Sequence, residues 1–311
     1  MKPLLKVDLT TTVSITSTYA GEFAGKYIAA ALLSGDTLGK NLITVKPNIK
    51  YKEVVKKLVA SGTIIADATC DFSATGTLTL TERLLTPEEL QVNLQLCKKD
   101  FRSDWEAAQM GYSVYDKLPP TFTEFMLAHL LAQVGANMET TIWHGATGTA
   151  GQFDGFVTLM TADSTVLDVT STSAIDASNV IAELENLMSF VPNTIKGQPD
   201  FKIYIAQNVA WAYAVALGKL GYMQQFTAGE KPLDYLGKSL VVVPGLTDSY
   251  MVAAQASNLW FGTGLLSDEN EVKVLDMADL DGSQNVRFVM RFTAGVQYGI
   301  GSEIVLYTPP A

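Results

Sequence analysis

"LPPTFTEFMLAHLLAQVGANMETTIWHGATGTAGQFDGF", residues 118–156, decides the fold. Pro120, then Thr121 with Glu124 three residues on, is a helix start carrying a capping box. Phe122, Met126, Leu130, Val134, Met138 and Ile142 follow at every fourth position. On a helix of 3.6 residues per turn, a four-residue repeat drifts by about 40° per step. The apolar stripe therefore winds around the rod, and several partners must cover it along its length. The spacing predicts a helix over 121–143, about 30 Å long and the longest in the chain.

Behind it stand four glycines at 145, 148, 151 and 155, with Asp154 among them. Glycine lets a chain reverse at low steric cost, so 144–156 reads as a hinge. In that reading His144 caps the helix end, where an imidazolium meets the dipole favourably, and Phe153 and Phe156 pin the turn to the core. The same stretch must be tested for chemistry. "GATGTAG" has no lysine and follows a helix, so it is not a phosphate loop. "PLDYLGKS" ends like one at Gly237-Lys238-Ser239, but Pro232 stands where the first glycine belongs and a strand follows. His144 as a base, oriented by Asp154 with Thr147 or Thr149 near, defines a hydrolase alternative. No nucleophile motif accompanies it. His129 lies mid-helix and reads as a packed or interface residue, and its spacing from His144 does not suit a metal. "DMADLDG" at 276–282 is off the calcium-loop register, and "DENE" at 268–271 reads as a solvated acidic loop. The four tryptophans are scattered through apolar settings and read as core or interface anchors. The expectation is no catalytic, cofactor-binding or metal site, no cofactor, and no enzyme.

The chain has 311 residues, 48% hydrophobic and 17% charged, with a net charge of −10. The charged share is below the roughly 25% of an average domain, which suggests a surface covered by other subunits. Residues 1–60 hold nine lysines against four acids, leaving the remainder strongly acidic. An acidic body does not attract nucleic acid over its surface. The basic segment lacks arginine and fits a neighbouring copy's acidic body better than nucleic acid. Two cysteines form neither a disulfide framework nor a zinc site. "MKPLLKVDLTTTV" has no apolar core, so no signal peptide is expected. The apolar runs fall short of the ~20 residues of a membrane span.

Residues 1–18, rich in Thr and Ser, read as an extended arm, and 19–36 as a short amphipathic helix. Residues 51–61 read as another short helix. Residues 62–85 alternate in "TLTLTERL" and read as a long hairpin with "SATG" as its tip. Such a hairpin buries little by itself and must pack on something. "TPEE" at 86–89 reads as a helix start, continued by Leu90, Leu94, Cys97 and Phe101. Beyond 160 the pattern alternates helix (178–191, then "NVAWAYAVALGKLG") and strand ("DFKIYIAQ", "SLVVVPG", "YMVAAQASNLWFGTGL"). Strands close the chain. The class is α+β.

This order of elements resembles the major capsid proteins of tailed bacteriophages, the HK97-like fold. The resemblance is carried by "YAGEFAGKYIAAALL…ITVKPNIKYKEVV", by residues 118–160, and by "VRFVMRFTAGVQYGIGSEIVLY". It implies an N-arm at 1–50, a short helix at 51–61, and an E-loop hairpin at 62–85 reaching over a neighbouring subunit. It implies a P-domain at 86–159 and 275–311, built on the long spine helix, and an A-domain at 160–274 gathered around a capsomer axis. The implied function is a structural subunit of an icosahedral or prolate phage head. Its copies assemble into hexamers and pentamers and enclose double-stranded DNA without sequence-specific binding. Scaffolding, portal and decoration proteins are further implied partners, and no membrane is. The implied location is the virion, after assembly in the host bacterial cytoplasm. An encapsulin-type nanocompartment shell is the alternative within the fold. Some relatives begin with a scaffolding segment, not visible here, so scaffolding is expected to be separate or already removed. Others cross-link lysine to asparagine between subunits. Residues 62–85 contain no lysine, so that chemistry is not expected by that route.

Overall fold

The computed structural model describes residues 35–61, 65, 67, 76–97, 120–171, 173–221, 233–264, 271–277 and 282–310. The arm at 1–18, the apolar stripe of the helix at 19–36, and most of the hairpin tip lie outside them. The described chain forms two compact units.

The first unit holds Gly35, 89–97, 120–138, Gly264, 271–277 and 282–293 of the described residues. The helix α2 (Pro120–His144) supplies its first nineteen positions here and its last six to the second unit. Strand β4 (Glu88–Cys97) and strand β11 (Glu271–Asp276) both pair with β12 (Asn285–Tyr298), β11 in antiparallel register from Glu271↔Arg291 to Asp276↔Val286. β12 alternates as a half-covered strand should: Val286, Phe288, Met290 and Phe292 are buried while Arg287 and Arg291 are exposed.

The helix expected after "TPEE" is a strand. Leu90, Val92, Leu94 and Leu96 alternate, and that period of two competes with the helical reading of Leu90, Leu94 and Cys97. Backbone contact settles the competition. A Cβ on Gly295 would lie 2.9 Å from the Pro87 Cα, so the Thr86-Pro87 backbone runs flat against β12 and the chain continues extended.

The second unit holds the rest. Its main sheet has six strands in the order β5-β13-β9-β6-β8-β7: β5 (Leu167–Thr170), β6 (Phe201–Ile205), β7 (Leu233–Tyr235), β8 (Lys238–Val242), β9 (Met251–Gln255) and β13 (Val305–Thr308). β6 and β8 are parallel because the helix α6 (Gln207–Lys219) carries the chain back between them. Ile203, Tyr204, Ile205, Ala253 and Leu306 are fully buried, the signature of strands covered on both faces. The helix α4 (Val180–Phe190) covers one side through Leu184 and Leu187, as its spacing predicts. Of the last strands, β11 and the first nine residues of β12 belong to the first unit, and residues 294–311 to the second. After β12 the Gly299–Gly301 turn sends β13 into this sheet, parallel to β5 and antiparallel to β9. β10 (Leu259–Thr263) joins the end of β12 and the short parallel strand β1 (Thr44–Lys46).

The short helix expected at 51–61 is also a strand. β2 (Glu53–Ser61) pairs antiparallel with β3 (Thr77–Leu85) over nine residue pairs, Glu53↔Leu85 to Ser61↔Thr77. Val54, Val55 and Val59 are stiff at χ1 and favour a pleated strand, and β3 supplies the ladder. The hairpin is therefore longer than 62–85, and it carries lysines at 56 and 57.

Candidate functional site

The opening loop is closed by its own backbone. Gly155 N–H donates to Gly145 O at 2.9 Å, Gly145 N–H to Thr141 O at 2.9 Å, and Thr158 Oγ–H to Gly145 O at 2.7 Å. A Cβ at either Gly145 or Gly155 would sit 2.6 Å from Thr141 O, so these two glycines serve close backbone approach. Only Gly151, at φ +78°, uses glycine's left-handed freedom. Phe153 and Phe156 are buried, as expected. The hinge reading is corrected, because residues 139–263 all belong to one unit. The loop joins parts of one body.

His144 also differs from expectation. Its Nε2 accepts a hydrogen bond from Thr247 N–H at 3.0 Å, its ring meets Tyr250 edge-on, and burial pushes its pKa down. An accepting Nε2 is a neutral imidazole, so the charged helix cap is replaced by a neutral acceptor. Asp154 accepts instead from Thr147 N–H at 2.8 Å and Thr147 Oγ at 3.1 Å. The two residues of the hydrolase alternative are thus each engaged elsewhere. The decoy at Gly237 is a tight turn, with Leu236 and Gly237 both at positive φ. Among the described residues no group of three acids, cysteines or histidines is placed to hold a metal. None of the described helices is long and apolar enough to cross a membrane. Trp143 is fully buried, but Trp211 stands exposed on α6.

The hairpin is the surface that calls for explanation. Alternation gives it two faces. On one, Glu53, Val55, Arg83 and Leu85 share the register pairs at the root. Leu85 is fully buried there, Glu53 pairs with Lys46 at 2.5 Å, and Gln297 Nε2 donates to Leu84 O at 3.2 Å. On the other, Val54, Leu84, Leu80 and Leu78 are exposed, from 43% at Val54 to 68% at Leu78. Exposure grows away from the root, so none of the described residues covers this face. A single charge pair, Lys56–Glu82 at 3.5 Å, sits within it. A two-stranded sheet with an open apolar face is marginal in water.

In the first unit, Val92, Leu94, Leu96, Leu130, Val134 and Phe288 line a groove of about 380 Å³, with His129 at its wall. His129 itself is exposed at the edge of this groove.

Two polar clusters were not legible beforehand. Arg83 pairs with Asp163, which also accepts from Tyr298 OH at 2.8 Å and from Thr165 N–H and Oγ–H at 2.9 and 2.8 Å. Burial opposes the charge on Asp163, but these donors outweigh it and hold its carboxyl far below the usual range. Glu139, on the buried side of α2, accepts from Thr37 N–H at 3.0 Å and Thr37 Oγ–H at 2.5 Å, and Trp143 Nε1 donates to Thr37 Oγ at 2.9 Å. Each had a faint signal: a lone arginine in a Thr/Leu strand, and a glutamate beside the Met138–Ile142 stripe. Their partners, 80 and 102 residues away, had none.

No family model and no curated protein matches the chain. Solved structures do. A structure titled "Capsid of native GTA particle computed with C5 symmetry" matches 98% of this chain and 96% of its own, at 14% identity and TM-score 0.59. "The capsid of Myoviridae Phage XM1" matches 89% and 92%, at 12% identity and TM-score 0.56. A virus-like particle from Pyrococcus furiosus matches 92% and 98%, at 11% identity and TM-score 0.53. Coverage of about nine-tenths or more in both directions shows a shared fold, and the chain has the α+β, HK97-like fold of phage capsid proteins.

Proposed function

We propose that this chain is the structural subunit of a bacteriophage head, whose copies assemble into a closed shell around double-stranded DNA. The observation that carries the reading is the hairpin's uncovered apolar face, standing on a fold shared with capsid shells. A monomer gains nothing from exposing Leu78, Leu80, Leu84 and Val54 together. A copy that lays this face on its neighbour buries it. Residues 1–50 act as the N-arm, the 53–85 hairpin as the E-loop, 160–274 chiefly as the A-domain, and 86–159 with 275–311 as the P-domain around the spine helix. Hexamers and pentamers, contact with scaffolding, portal and decoration proteins, non-specific enclosure of DNA, assembly in the host cytoplasm and location in the virion follow from this role. So does the absence of catalysis.

The test is assembly. Purified protein examined by negative-stain electron microscopy should form closed particles or capsomers, and L78S/L80S should stay folded but lose them. A chain that remains monomeric under all assembly conditions overturns the reading. Particle contents separate the encapsulin-type alternative: packaged double-stranded DNA supports the phage head, a protein cargo the nanocompartment.

A further inference from the structure

The root of the hairpin is poorly packed. Beyond buried Leu85, its inner face at Val55 and Arg83 overlooks a cavity of about 240 Å³ walled opposite by Asn258, Trp260 and Ile300. An open space supplies no dispersion contacts, so apolar packing does not fix the hairpin's tilt. The Lys46–Glu53 pair lies at the first residue of β2 and holds the root without controlling the angle above it.

Arg83 sits one inward-facing position further out than Leu85 and borders this space. Its guanidinium meets the Asp163 carboxylate and lies over the Tyr298 ring, 4.5 Å from the centroid. Both partners are rigid. Tyr298 is fully buried at the end of β12. Asp163 follows the helix α3 (Phe156–Ala162) and is tied to Thr165 by two hydrogen bonds. Arg83 and Asp163 retain 30% and 17% side-chain exposure, which leaves the pair less screened than a surface ion pair. The planar fork uses both its edge and its face, which a lysine ammonium cannot do.

We propose that Arg83, Asp163 and Tyr298 form a latch that sets the direction in which the hairpin leaves its unit before any second copy binds. Its consequence for assembly rests on the shell reading above: a pre-aimed hairpin loses less freedom on docking. Arg83 is then a positioning residue.

The experiment measures direction in the unassembled subunit. Spin labels at L78C and S189C, in a C70S/C97S background at dilute concentration, report the distance from the hairpin to α4 by pulsed dipolar spectroscopy. The parent should give one narrow distribution. R83A and D163N should at least double its width, R83K should fall between, and near-ultraviolet dichroism should stay unchanged. A parent-like width in R83A overturns the latch. Should R83A fail to fold, R83K and Y298F decide by the same criterion, and parent-like widths in both overturn it. Because the readout needs no particles, it separates the two ideas. Failure of the parent to assemble defeats the shell reading and leaves the latch standing. Normal particles with an unchanged width in R83A defeat only the latch.

Discussion

Glu139 is a carboxylate on the buried side of the long helix. Burial raises its pKa, the two hydrogen bonds from Thr37 and one from the Gly245 backbone offset part of that rise, and nearby Asp36 adds to it. The sign for stability follows. A carboxyl whose folded pKa lies above its unfolded value binds its proton more tightly when folded. Its contribution is full below the unfolded value near 4.5 and is lost as pH rises through the folded value. Stability measured against pH should therefore fall across that window, and E139Q should flatten the fall in chemical denaturation. A slope unchanged in E139Q would assign it to another group. E139A removes the acceptor for buried donors on Thr37 and should cost about 1–3 kcal/mol. Gly245 adds a steric constraint at the same place, since a Cβ there would lie 2.8 Å from the Trp143 ring. The cluster welds residues 36–42 to the helix, helped by Tyr204 OH donating to Leu42 O at 2.6 Å.

At the scale of elements, what the sequence announced and what it hid divide by range of interaction. The long helix was legible because its signals are local: Pro120, the capping box and a stripe from Phe122 to Ile142. So were α4, α6 and the buried strands β6, β8 and β9. β2 and β4 were misread as helices because their apolar residues satisfy both periods over a short run. The partners that decide between the periods are β3, beginning sixteen residues after β2 ends, and β12, nearly two hundred after β4. The surface was half legible. The hairpin's inability to bury itself was read from its few apolar residues, while the Arg83–Asp163 tie required folded coordinates. The glycines of 144–156 stand out in the sequence, but close approach and positive φ look the same there. Gly295 carries the test at this scale. Its Cβ would press on the Pro87 backbone at 2.9 Å, and backbone does not yield like a side-chain end. G295A should lower the midpoint of thermal unfolding by several degrees, on the order of 1–3 kcal/mol for overpacking. A midpoint within one degree of the parent would show that the Thr86-Pro87 crossing is loose.

For the whole molecule, the balance between folding and assembly turns on where its apolar surface is spent. The core of the second unit is well covered: β6, β9 and β13, at the centre of the six-stranded sheet, are almost wholly buried. The hairpin's outer face stays open to water, and its placement separates two stabilities. Substitutions on its outer face should leave unfolding of the isolated subunit nearly untouched, because Leu78 and Leu80 already face water. The same substitutions should remove most of the association energy, at about 25 cal/mol for each Å² of apolar surface left unburied. The Lys56–Glu82 pair within that face provides a finer measurement. Exposed in the free subunit, it contributes little there. Once covered by a neighbour it loses its water, and breaking it leaves a buried unpaired charge, which is strongly destabilising. E82Q should thus shift subunit unfolding by no more than about 0.5 kcal/mol, yet raise the concentration at which particles form at least tenfold, as read by light scattering. K56M/E82L, which makes the face continuous, should lower that concentration. If E82Q and the double variant assembled alike, the hairpin's outer face would stay wet in the particle, and the contact would have to be made by its edges.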